Sequence, residues 1–268
     1  MARISRLNRL PEPEKKNVYR LLIPEKVYQL FAIDASTGRN RQGESVVRFE
    51  CAPGTAEASV EVKRLLDDLD PVFYIEVADS KDLLQLQWYF IQVNDLRVPR
   101  INTDVTRGGR SRWLFWQERN LPEELKALAA GLAPGQVRPG LRLTDDINHC
   151  LDRFCRALGL ASIYLEALFY HLALAYERNG FRYLQGEELM RLINRGFQPG
   201  GRIYAKLDDS PFRRKDFYNR VRGRSWAIHD GILDEPADPE IGSWNPPRMY
   251  RMVGDYENYV NTCPEGCW

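Results

Sequence analysis

The sequence predicts a mixed α/β fold of the α+β kind: a largely antiparallel sheet flanked by helices, with a C-terminal helical extension. Three observations carry this. Short runs of β-branched and aromatic residues bounded by turn residues fill the first half. From Thr144 onward, apolar residues recur at helical spacing. One apolar segment, 162–168, breaks that helical pattern and reads as a buried strand.

In chain order, residues 1–16 are basic and polar, without the apolar stretch of a secretory signal, and read as a flexible arm. Residues 18–23 and 27–33 read as strands, with turn chemistry at 36–43, and 46–51 follows as a short strand. Residues 58–69 read as a helix through Val62, Leu65, Leu66 and Leu69. Residues 72–77 and 86–93 read as neighbouring antiparallel strands, 97–109 as a polar loop and 112–116 as a further strand. Residues 121–132 read as a helix, with Asn120 as its N-cap and Pro122 in its first turn.

Thr144 is expected to cap the next helix, with Asp145 and Asp146 complementing its positive end. Ile147, Leu151, Phe154, Cys155 and Leu158 form its apolar face, and Gly159 closes it. A helix at 170–178, a strand at 181–184 and helices at 187–194 and 212–228 come next. Residues 234–248 are rich in proline, and 249–253 read as a last strand. The expected division is an arm at 1–16, an α/β core at 17–185 and an extension packed on it at 186–268.

The 268 residues carry 38 basic and 37 acidic side chains, so no net field draws the chain to nucleic acid or anionic membrane. Nucleic acid is therefore not an expected partner. The apolar run at 161–175 is interrupted by Glu166 and His171, too soon to span a bilayer. Five cysteines, an odd number, fit reduced thiols and a cytoplasmic setting. Cys150 and Cys155, five apart on a helix, point about 140° apart. Cys263 and Cys267 flank a terminal turn. These pairs read as free thiols, and no metal is assigned.

Two stretches suggest chemistry. The first spans 131–184. P-G-Q-V-R-P-G-L-R at 134–142 places a glycine turn ahead of a helix, where main-chain N–H groups attract phosphate. It is similar to the pyrophosphate loop of the GNAT N-acyltransferase family. G-L-A-S-I-Y-L-E-A-L at 159–168 resembles that family's pantetheine-binding strand. A-L-A-Y-E-R-N-G-F at 173–181 resembles its A-x-x-Y-E-R-x-G-F helix end.

The resemblance implies a GNAT-like core and acetyl-CoA or another acyl-CoA as cosubstrate. Val137, Arg138, Gly140, Leu141, Arg142 and Leu165 would hold it, and the acceptor would be a small-molecule or peptide amine. It also makes Tyr176 the acid that protonates the departing thiolate. Arg142 stands where the family prefers Gly or Ala. The general base carries no motif; Glu76 and Glu118, near strand ends, are the candidates. Each of these residues also has a plain structural reading: Tyr176 as a core aromatic, Gly140 as a turn residue and both glutamates as surface carboxylates.

The second stretch is R-G-R-S-W-A-I-H at 222–229, which resembles the R-x4–6-H motif of HEPN ribonucleases. There an arginine, here Arg222 or Arg224, stabilises phosphate, and a histidine, here His229, handles the 2′-hydroxyl proton. A third reading is a non-catalytic binding protein on a degenerate GNAT fold.

Overall fold

The computed structural model describes residues 3–80, 85–106, 118–234, 240–266 and 268. It is a mixed α/β protein in which four strands precede residue 107 and the long helices follow. The expected strand at 112–116 lies outside the described residues. Strand order is β1-β2-β3-β4-β5-β7-β6. The chain divides into two compact units: Met1–Arg97 with Gly140–Leu165 and Tyr250–Tyr256, and Val98–Pro139 with Glu166–Met249 and Glu257–Trp268.

The first unit opens with helices α1 (Ile4–Leu7), α2 (Glu12–Tyr19) and α3 (Glu25–Phe31). This corrects the reading of an arm and two strands. Ile4 and Leu7 are fully buried, and the Asp79 carboxylate accepts the Ile4 and Ser5 N–H groups. Pro11 and Pro24 occupy the N-cap positions of α2 and α3, each followed by a glutamate in the first turn. Fixed proline φ and an acidic first turn favour helix starts there over strand propensity.

Strands β1 (Val47–Glu50), β2 (Glu57–Val62), β3 (Phe73–Asp79) and β4 (Gln85–Val93) form an antiparallel run. β2 corrects the helix expected at 58–69. Ala58, Val60 and Val62 alternate along a strand and are all buried, whereas the leucines that suggested a helix lie beyond Val62. Helix α5 (Thr144–Leu158) buries the predicted face and ends at Gly159, whose φ of 74° is left-handed. Thr144 is its first residue and not its cap; Leu143 holds the cap position without a side-chain bond. Strand β5 (Ser162–Glu166) then runs parallel to β4, and β7 (Arg248–Met252) lies beside it.

The second unit contains α4 (Leu121–Ala129), α6 (Tyr170–Glu177), β6 (Arg182–Gln185), α7 (Glu187–Phe197) and α8 (Val221–His229). Asn120 precedes α4 but makes no capping bond; its amide donates to Asn102 and Val105 carbonyls instead. The helix expected over 212–228 is a 3-10 turn at Lys215–Asn219 followed by α8. Ala127, Leu132, Phe212 and Trp226 form a buried cluster here. No helix among the described residues is long and apolar enough to cross a membrane.

Candidate functional site

In the first unit, β4 pairs with β5 over only part of its length. β4 and β5 pair in parallel from Gln85↔Ser162 to Trp88↔Leu165. Beyond Trp88, β4 continues to Val93 paired with β3, and the register shifts between Glu76 and Val77, so that Tyr89 is the extra residue of a bulge. The Asn94 N–H donates to the Val72 carbonyl. By antiparallel alternation, Val93 and Ile91 therefore turn their N–H and C=O groups away from β3, toward the side β5 has left.

Gly140 lies at the far end of that edge. A Cβ added to it would stand 3.7 Å from the Val93 carbonyl oxygen. Gly140 and Arg142 are exposed, and Arg142 takes φ 56°, the left-handed region that favours glycine. An arginine, not a glycine, supplies the left-handed position of this turn. Asp145 and Asp146 already occupy the positive first turn of α5, and Lys26 pairs with Asp146 at 2.8 Å. Leu165, the last β5 residue paired to β4, is buried.

Glu76 belongs to the same unit. It pairs across to Phe90, next to the bulge, on the face of β3 opposite buried Ile75 and Val77. It lines a groove of about 250 Å³ with Glu50, Ser59 and Tyr74.

The remaining predicted residues belong to the second unit. The Val137 carbonyl accepts the Ile101 N–H, and Arg138 Nε donates to the Val98 carbonyl. Glu118 is exposed two residues before α4 starts its approach at Asn120. Tyr176 sits in the last turn of α6 with its ring 5.4 Å from Phe181, and burial pushes its phenol above the ordinary value. The Y-E-R-N-G-F stretch does end a helix: the Phe181 N–H returns to the Tyr176 carbonyl, and Gly180 takes φ 81°. Glu177 is buried, and its carboxylate accepts bonds from the Thr262 N–H, the Thr262 hydroxyl and the Tyr183 hydroxyl. Burial raises its pKa against those bonds.

The ribonuclease-like stretch is placed otherwise than its spacing suggests. Arg224 and His229, five apart on α8, lie about 140° apart around it. Arg224 is fully buried, donating to the Tyr218 carbonyl, Tyr170 hydroxyl, Asn194 and Cys263. Arg222 donates to the Gly131 carbonyl, and His229 Nε2 lies 3.3 Å from Glu124 Oε1. Arg224 and His229 do not share an exposed cleft, because Arg224 is fully buried; Arg222 is exposed.

Two further titratable groups are buried, of which the sequence reading missed Glu124. Glu124 is 1 % exposed, paired with Arg119 at 2.5 Å and with His229; Arg119 also reaches Asp230. Its signal was available, since Glu124 precedes Ala127 and Leu128 by three and four residues on the apolar side of α4. The other is His171, whose Nδ1 lies 2.9 Å from Ser225 Oγ. Burial and the Arg222 charge lower its pKa to about 3. Cys51, Cys150, Cys155 and Cys263 are free and buried, and no group of three metal-ligating side chains occurs among the described residues. Cys267 lies outside those residues.

Comparison with protein-family models, with curated proteins and with solved structures finds no match.

Proposed function

We propose that the chain is an acyl-CoA-dependent N-acyltransferase of the GNAT type, acting on a small-molecule or peptide amine. The observation that supports this reading is the parallel β4/β5 pair, whose pairing ends at Trp88 and Leu165 while β4 runs on to Val93. An edge of β4 continues there past the bulge toward a glycine turn. A pantetheine arm is peptide-like, and its amides can pair with such an edge as an added strand does. Main-chain groups of 140–142 and the Arg142 side chain would meet the pyrophosphate. The first turn of α5 contributes less, because Asp145 and Asp146 already occupy it.

In this reading Glu76, beside the bulge, takes the proton of the attacking amine. The thioester carbonyl becomes tetrahedral, and the C–S bond breaks as the thiolate leaves with a proton. Isothermal titration with acetyl-CoA and with free CoA tests the proposal. Saturable 1:1 binding of both supports it, and no heat at millimolar ligand overturns it.

A further inference from the structure

We propose that Cys263 is a peroxide-reactive thiol, positioned by the buried guanidinium of Arg224. The site is independent of acyl transfer.

Arg224 is fully buried, and its hydrogen-bond partners among the described residues are the Tyr218 carbonyl, the Tyr170 hydroxyl, Asn194 and Cys263, none of them a carboxylate. A buried cation is costly unless a negative or strongly accepting group faces it. Its Nη1 donates to Cys263 Sγ at 3.0 Å, to Asn194 Oδ1 at 2.6 Å and to the Tyr170 hydroxyl at 3.1 Å. Sulfur is the one strong nucleophile in this set, and the guanidinium contact fixes its position. Nη2 of the same guanidinium is buried with no hydrogen-bond partner. An oxygen added to the sulfur would supply the acceptor that Nη2 lacks.

Access and size point to the oxidant. Cys263 lines a cavity of about 50 Å³ with Glu177, Asn258 and Asn261. That exceeds the roughly 10–15 Å³ one water requires, but excludes a bulky disulfide. Hydrogen peroxide fits. Gly266 leaves the sulfur this position, since a Cβ there would fall 2.4 Å from Sγ. In the reaction the sulfur attacks one peroxide oxygen, forming an S–O bond as the O–O bond breaks. The departing oxygen takes the thiol proton and leaves as water, so the cysteine becomes a sulfenic acid and peroxide is reduced. The other described thiols are placed differently. Burial raises the pKa of Cys51, Cys150 and Cys155, that of Cys155 to about 12.

The test is to treat the Cys267→Ser protein, whose C-terminal peptide carries Cys263 alone, with hydrogen peroxide and a dimedone probe. Peptide mass spectrometry then gives the labelling rate of each cysteine in the same sample. Cys263 should label at least tenfold faster than Cys51, Cys150 or Cys155, and at least tenfold faster than itself in the urea-unfolded chain. Arg224→Met should slow it at least tenfold in protein that still melts cooperatively. If that variant does not fold, the comparison within the parent protein decides alone. Faster labelling at another cysteine, or equal rates folded and unfolded, would overturn the proposal.

Discussion

The guanidinium of Arg251 on β7 and the carboxylate of Asp152 on α5 form a buried ion pair at 3.0 Å, with both side chains almost wholly excluded from solvent. Asp152 also accepts the Gly254 N–H and the Tyr256 hydroxyl. One carboxylate therefore ties the end of β7 and the turn after it to the central helix of the first unit.

Removing one partner strands the other charge in the interior. Asp152→Ala is expected to destabilise the protein by about 3–5 kcal/mol. Urea unfolding followed by circular dichroism measures this. A loss below about 1 kcal/mol, the range of exposed pairs, would show that the pair contributes no more than a surface contact.

Glu124 gives the protein a dependence on acid. Burial alone would raise its carboxyl, but hydrogen bonds and charge from His229 and Arg119 outweigh it and hold it at about 2. A carboxyl lowered in the folded state stabilises above its unfolded value, near 4.5, and loses that contribution as pH falls toward about 2. Melting temperature should therefore decline over this window, and Glu124→Gln should flatten that part of the profile. Parallel profiles for the two proteins would contradict the assignment.

Tyr176→Phe separates proton donation from packing. Loss of a positioned acid costs roughly 10²–10⁴-fold in turnover, and the phenyl ring keeps its contact with Phe181. Turnover should fall while acetyl-CoA affinity and melting temperature hold. Equal losses in all three would assign Tyr176 to packing alone.

Much of the sheet was legible because its signals are local. Val60 and Ile75 sit on buried, alternating strands, and Ile147 to Leu158 keep a helical period that the structure retains. The N-terminal helices were missed because Val18, Tyr19, Val27 and Tyr28 carry strand propensity, while the deciding signal is the proline–glutamate start of each helix. At 58–69, a helical spacing of leucines masked the period-two burial of Ala58, Val60 and Val62. Where β4 and β5 stop pairing was not legible, since it depends on two strands distant in sequence. The burial of Arg224 was not legible for a related reason: spacing along α8 does not show which side of the helix enters the core.

The most direct measurement of the acyltransferase account is amide hydrogen exchange with and without saturating acetyl-CoA. Binding along the β4 edge should slow exchange at 89–93, and the glycine turn should show protection at 140–143. Acetyl-CoA that binds without protecting these segments, or does not bind at all, would contradict it.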